Sequence, residues 1–254
     1  MFIDKTGMND RLNGKTVLIT GAAKRMGRQI ALSLAGEGMN VVIHYRSSGD
    51  EAAELKERLA SLGVKSWTVQ EDFKSETNLS KFIQGVKQEV GDLNCLVNNA
   101  SIFPSGDLED IEFNDLLTNL KVNLWAPLSL SRSFVNNFEG GKIVNLLDTR
   151  VAGYDWDHAG YYFSKVLLTR MTKMTALKYA PDFTVNGVAP GLITPPPGSG
   201  NEYLEERVDR VPLGRYGRKS DVADAVTFLL QSTFITGQIL YVDGGRKLLH
   251  EQGG

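Results

Sequence analysis

The sequence of 254 residues predicts the α/β class, as a single doubly wound parallel sheet with helices on both faces. Three observations predict it. Short β-rich apolar runs alternate with segments of helical period along nearly the whole chain. The first run, Val17–Thr20, is continuous rather than alternating, as a strand buried on both faces requires. A turn of small residues joins the first run to the first helix. A chain of this length exceeds one average domain, but α/β chains of about 250 residues commonly fold as one. One domain is therefore expected over 1–254, with an N-terminal extension at 1–13 and an irregular loop at 191–212.

The elements follow in order. Val17–Thr20 reads as the first strand. Met26, Ile30, Ala31, Leu34 and Ala35 recur at helical spacing behind it, and Gly36 and Gly38 supply a stop. Val41–Tyr45 is the second strand, Glu51–Leu62 a helix, Lys65–Val69 the third strand and Leu79–Val90 a helix ending at Gly91. Leu93–Asn98 is the fourth strand. One long helix is expected from Phe113 to Phe138, ended by Gly140 and Gly141. Lys142–Leu147, Thr184–Val188 and Gln238–Val242 complete the strands, with helices over Tyr161–Tyr179 and Ser220–Leu230. The stretch Gly191–Pro212 is rich in Pro and Gly. Long loops in compact domains usually serve function, which suggests a substrate lid.

Apolar residues make up 42% of the chain, charged residues 23%, and the net charge is -2. This is ordinary globular composition. It offers no broad basic face for nucleic acid or anionic lipid. A single cysteine, Cys95, rules out an intrachain disulfide and fits a reducing cytosol. In the apolar run Leu93–Val97 it reads as a buried, inert thiol. Asp4 follows Phe2–Ile3 with no apolar run behind it, so no signal peptide is expected. No stretch approaches the roughly 18 apolar residues of a membrane span. The expected location is the cytoplasm. Three scattered histidines and one cysteine give no metal-ligand spacing.

The turn Thr20-Gly21-Ala22-Ala23-Lys24-Arg25-Met26-Gly27 lets backbone approach a pyrophosphate at a helix N-terminus. A tight turn with nothing bound is the bland alternative. Nucleotide sites for NAD place an acid about 20 residues further on, at the ribose 2′-hydroxyl. Here the second strand ends His44-Tyr45-Arg46-Ser47-Ser48, with no acid. An Arg and two hydroxyls suit a 2′-phosphate, hence NADPH over NADH. The alternative is a solvated Arg46. His44 reads as a solvated strand-end residue, and a place beside the 2′-phosphate is the other option. Tyr161 and Lys165 lie four apart on one helix face. An ammonium there favours phenolate and draws the Tyr pKa toward neutrality, which suits acid–base work.

These features occur in order with Asp72, Asn98-Asn99-Ala100, Asn123, Pro190-Gly191 and Asp243-Gly244-Gly245. From about Lys15 to Asp243 the set resembles the short-chain dehydrogenase/reductase family, whose fold is Rossmann-type. The resemblance implies a proton relay of Asn123, Tyr161 and Lys165, with Tyr161 as acid. Lys165 would hold the nicotinamide ribose and Asn123 would help order a water. Asp72 would contact adenine, and Asn99 and Ala100 would lie along a ribose. Pro190 and Gly191 would also touch the cofactor. A homotetramer is implied, by symmetric burial of the helices Phe113–Phe138 and Tyr161–Tyr179.

Two positions depart from the family pattern. Arg25 replaces a middle Gly, and Asp148 stands thirteen residues before Tyr161, where the family carries a catalytic Ser. An ionised Asp donates no hydrogen bond and repels an oxyanion. Either Asp148 is held protonated, or the substrate offers N–H groups, as a ring C=N compound does. A degenerate site that only binds nucleotide is the third option. Gly21–Gly27, Asp148 and Asn98–Phe103 resemble the pteridine reductases, and Ser232–Arg246 is similar to the related dihydromonapterin reductases. That likeness implies reduction of a dihydropterin with Phe103 stacked on the pterin, and with Ser101 and Arg25 touching pterin and cofactor phosphates. The loop Leu192–Asp209 does not match them. Carbonyl or imine reduction of an unrelated substrate, or a silent nucleotide-binding module, are the alternatives. Tyr154, Trp156 and His158 lie between Asp148 and Tyr161. Trp156 either walls a flat heterocycle or packs under its loop.

Overall fold

The computed structural model of the protein describes residues 12–75, 78–196 and 198–251. Most of the expected N-terminal extension, residues 1–11, lies outside them, as does position 197 of the expected loop. Leu12, at the end of the extension, is buried.

The β-rich runs form the strands β1 (Thr16–Ile19), β2 (Asn40–Tyr45), β3 (Ser66–Gln70), β4 (Cys95–Asn98), β5 (Gly141–Leu146), β6 (Phe183–Pro190) and β7 (Ile239–Val242). They make one sheet in the order β3-β2-β1-β4-β5-β6-β7. Every neighbouring pair is parallel. The helices are α1 (Arg25–Gly36), α2 (Gly49–Ala60), α3 (Leu79–Val90), α4 (Phe113–Leu120), α5 (Ala126–Asn137), α6 (Ala159–Tyr179), α7 (Glu202–Glu205), α8 (Lys219–Gln231) and α9 (Arg246–Glu251). The result is the expected Rossmann-type α/β fold.

The strand pleat divides the core. Val17 and Ile19 of β1 share a buried cluster with Ile30 and Leu34 of α1, Leu55 and Leu59 of α2, and Val222 and Val226 of α8. Leu18, between them, faces the other way, toward Ile83 of α3 and Leu130 and Phe134 of α5. Each such side chain contributes roughly 1.5–3 kcal/mol when fully buried. Cys95 is buried in β4, and burial pushes its thiol up to about 12. The strand order reverses between β1 and β4. Parallel sheets open a crevice at the carboxyl ends of the strands at such a switch point.

Three local expectations are corrected. The helix expected over Phe113–Phe138 is broken by a π-helical turn, Lys121–Trp125. Such bulges add one residue to a turn and often sit at functional sites, and this one carries Asn123. Its stop is not a glycine pair: α5 ends at Asn137, Phe138 turns to extended backbone, and Gly141 already belongs to β5. The loop from Gly191 is not structureless, because α7 and the 3₁₀ turn Val208–Arg210 lie within it. Leu192, Leu204 and Val211 form their own small buried cluster there. No helix among the described residues is long and apolar enough to cross a membrane.

Candidate active site

The turn after β1 opens a cleft of about 400 Å³ at the switch point. Gly21, Lys24, Arg25, Met26, Gly27, Tyr45, Arg46, Ser47, Asp72, Asn99, Ala100 and Ser101 all line it. Lys165, Pro190 and Gly191 do not. Ala23, His44, Ser48, Glu71, Phe73, Lys74, Ile102 and Val122 complete the walls.

Backbone contacts explain the glycines. Gly21 has φ +64, a region that favours Gly. A Cβ on Gly27 would stand 2.2 Å from the Gly21 carbonyl oxygen. The turn is braced from β4: Asn99 Nδ2 donates to the carbonyls of Thr20 (2.8 Å) and Gly21 (3.1 Å). The Asn99 side chain thus holds the turn rather than presenting itself to a ribose.

His44 is the second brace, and its sequence-based reading is corrected. It is 2% exposed, not solvated. Nδ1 accepts the Gly21 N–H (3.0 Å), so Nε2 carries the proton, which it donates to the Glu71 carbonyl (3.1 Å). Its ring stacks on Phe73, with centroids 4.4 Å apart. Burial lowers its pKa to about 4. One imidazole therefore ties the turn to the β3 loop that carries Asp72.

The end of β2 presents Arg46 exposed, with no side-chain partner among the described residues. Lys24 pairs with Glu51 at 2.5 Å. Arg25 is the one described non-Gly residue at positive φ (53). That strain costs of order 1 kcal/mol or more. Its guanidinium reaches across the cleft to the Pro195 carbonyl and to Thr194 Oγ1. Arg25 thus bridges the phosphate turn and the 191–212 loop, a role that sequence reasoning missed.

The residues expected to be catalytic gather beyond the carboxyl ends of β4 and β5. Tyr161 Oη donates to Asp148 Oδ2 at 2.7 Å, and Arg150 N–H donates to Oδ1 at 2.9 Å. Tyr161 is buried, and its pKa is raised well above 10 by burial first and by Asp148 next. The expectation that Lys165 draws it toward neutrality is not met: burial first, and then the Asp148 carboxylate that accepts its O–H, hold the phenol protonated. Lys165 Nζ lies 5.7 Å from the Tyr161 ring and donates to the Leu146 carbonyl (2.7 Å). Burial lowers its pKa to about 8. Its other two N–H donors fit ribose hydroxyls.

Asn123 is wholly buried, and its amide is saturated by protein. Oδ1 accepts from Ile102 N–H (2.9 Å) and Ser101 Oγ (3.0 Å). Nδ2 donates to the Ile102 carbonyl and to Ser164 Oγ, both at 3.1 Å. The side chain expected to order a water instead ties the β4 loop to α6. Ser101, through the same bond, is committed to Asn123.

Phe103 is not an open platform. His158 stacks on it at 4.0 Å and the Arg150 guanidinium lies 4.6 Å from its centroid. Tyr161 meets it edge-on at 4.7 Å. Asp155 holds both neighbours, at 2.9 Å from Arg150 Nη1 and 3.1 Å from His158 Nδ1. Nothing in the residue pattern singled out Arg150 or Asp155. Trp156 does not pack under its loop: it is 59% exposed and stacks on Tyr154. Gly191 lies against Asp243, where a Cβ would come within 2.6 Å of the Asp243 Cα.

Comparison with known proteins places this geometry. The family described as enoyl-(acyl carrier protein) reductase matches residues 21–247. The chain is 33% identical over 240 residues to the 3-oxoacyl-[acyl-carrier-protein] reductase FabG of Staphylococcus aureus, covering 91% of this chain and 97% of that one. Among solved structures it resembles the FolM alternative dihydrofolate reductase 1 of Brucella canis complexed with NADP. That match has a TM-score of 0.89 at 29% identity over 94% of this chain and 96% of the other. FolM from Brucella suis, also with NADP, gives 0.87 at 30% identity over 92% and 95%.

Proposed function

The chain belongs to the short-chain dehydrogenase/reductase family, and we propose that within it the protein is an NADPH-dependent reductase of a dihydropterin. NADP in the FolM structures supports the cofactor. So does the cleft itself, which has two close-approach glycines, an Arg46 whose side chain has no partner among the described residues, and no acid at the end of β2. Arg46 and Ser47 would hold the 2′-phosphate, the turn from Gly21 the pyrophosphate, and Lys165 the nicotinamide ribose. When bound, the cofactor supplies a hydride.

The observation that carries the substrate class is the 2.7 Å contact between Asp148 and Tyr161. Tyr161 resists ionisation in this contact, so phenolate is not the resting form. The pair keeps its transferable proton on the Tyr161 phenol, which donates to the Asp148 carboxylate. A proton passed from this pair to a ring nitrogen, as hydride reaches carbon, is replaced from solvent, which restores Tyr161 as donor to the Asp148 carboxylate. The backbone N–H of Arg150 stabilises that carboxylate. A ketone gains nothing here, since its oxyanion would face a carboxylate. The FabG likeness supports ketone reduction as a second reading. Loss of NADPH absorbance with dihydrobiopterin, dihydromonapterin, dihydrofolate and a ketone panel tests both. Turnover of ketones alone would overturn the pterin reading.

A cytoplasmic homotetramer completes the proposal. Leu117 of α4 and Phe163, Leu167, Met174 and Leu177 of α6 are exposed apolar residues on the helices expected to pair.

A further inference from the structure

Arg246 opens α9, and a buried hydrogen bond pins that helix beside the reacting centre. Thr149, the residue after Asp148, donates from Oγ1 to Asp243 Oδ2 at 2.7 Å. The same Asp243 carboxylate accepts the N–H groups of Gly245 (3.0 Å) and Lys247 (2.7 Å). The helix therefore packs against the 3₁₀ turn Thr149–Ala152, which carries Arg150. Arg246 is partly buried and lies within the electrostatic reach of Asp148, Arg150, Tyr203 and Arg210.

The two site arginines are not equally provided for. Arg150 has Asp155 at 2.9 Å. The Arg246 guanidinium has no ion pair and no hydrogen bond among the described residues, and neither does the guanidinium of Arg210. Asp148 does not serve as its partner, because no ion pair joins them and the carboxylate oxygens accept from Tyr161 and Arg150 N–H. Burial and the charge of Arg150 lower the Arg246 pKa, ahead of the raising effect of Asp148. A half-desolvated guanidinium among like charges is unfavourable unless a counter-charge arrives.

We propose that Arg246, with Arg150 and Arg210, forms a subsite for an anionic group, carboxylate or phosphate, on the tail of the pterin substrate. The proposal rests on the pterin reading of the same site. The ring to be reduced would sit at Asp148 and Tyr161, and the tail would run toward α9 and the turn Val208–Arg210. A planar guanidinium binds a carboxylate or phosphate through paired N–H donors. The subsite makes a pterin with a charged tail a better substrate than one with a neutral side chain.

The test compares kcat/KM for dihydrofolate, dihydroneopterin monophosphate and dihydrobiopterin in the NADPH-loaded enzyme, its Arg246→Gln variant and its Arg246→Lys variant. The ratio of either anionic substrate to dihydrobiopterin should fall about ten- to hundredfold in Arg246→Gln. Arg246→Lys should recover much of it, and added salt should lower the wild-type ratio. Loss for dihydrofolate alone assigns the subsite to carboxylates, and loss for the phosphate ester alone to phosphates. An unchanged ratio in Arg246→Gln overturns the subsite. If no pterin is turned over, the pterin reading fails separately. The subsite is then read by calorimetric titration of the NADPH-bound protein with p-aminobenzoylglutamate and with inorganic phosphate. Binding weakened about tenfold or more by Arg246→Gln upholds it; equal binding, or none by the wild type, overturns it.

Discussion

Acidification should loosen this protein through one residue, His44. The imidazole is 2% exposed, its Nδ1 is occupied as an acceptor by Gly21 N–H, and it stacks on Phe73. A proton on Nδ1 breaks the Gly21 bond and places a charge in the core. The folded-state pKa of about 4 lies below the ordinary 6.5 of the unfolded chain. Between those values the unfolded chain binds more protons, so the stability that neutral His44 provides is complete above about pH 6.5 and is lost as pH falls toward 4. The full gap corresponds to roughly 3 kcal/mol, of which about 2 kcal/mol is lost by pH 5. Urea unfolding at fixed protein concentration, from pH 7 down to pH 4.5, measures it against His44→Asn. Carboxylates add their own slope to both proteins, so the readout is the difference between the two curves. Wild type should lose roughly 2 kcal/mol more than the variant by pH 5. NADPH affinity should hold through most of that window and weaken only as pH approaches 4, where His44 of the folded protein takes its proton and Gly21, which leads the phosphate turn, loses its acceptor. Parallel stability curves would refute the reasoning and return His44 to a passive place in the core.

Other outcomes follow from the site. Replacing Arg46 by Asp should raise the KM for NADPH strongly and leave NADH unchanged or improved; equal use of both cofactors by the wild type would defeat the assignment. Tyr161→Phe and Lys165→Met should each lower kcat about 10²–10⁴-fold, with Lys165→Met also weakening NADPH. Normal turnover in both variants would place catalysis elsewhere. Because the buried Lys165 holds a pKa of about 8, its ammonium is present below that pH and lost above it. The kcat/KM for NADPH, which reports the free enzyme, should fall as pH rises through about 8, and a flat profile to pH 10 would contradict this. Asp148→Ser should cut pterin reduction by a comparable factor and raise reduction of activated ketones, since a hydroxyl donor then faces the carbonyl. Asp148→Asn should harm kcat more than KM, and pterin turnover unaffected by either change would refute the proton route.

The local order of the chain determined the sheet. Each β-rich run became a strand within a few residues of its expected bounds; β1 and β4, at the centre of the sheet, are buried throughout, as strands covered on both faces are, while the edge strands β3 and β7 are only partly buried. The residues of the cofactor cleft were legible from their places: Gly21, Arg46 and Asp72 follow strand ends, which a parallel sheet gathers at one edge, and Gly27 lies in the first turn of the helix behind the first of them. Asp148 was legible as the residue at a fixed offset from Tyr161. What it does to Tyr161 was not. The direction of a pKa depends on burial and on which charge lies within a few ångströms, and neither is written in spacing. For the same reason His44 read as solvated, although the stack on Phe73 and the Gly21 bond join residues 23 to 29 positions apart. The cover of Phe103 by His158 and Arg150, the reach of Arg25 to Pro195, and the placing of Arg246 beside Arg150 each join separate segments. Sequence by itself determined the class of fold, the edge of the sheet that carries the site and the residue types gathered there. Tertiary structure alone decided which of those side chains face one another, because contacts between distant segments depend on how the loops close over the sheet edge.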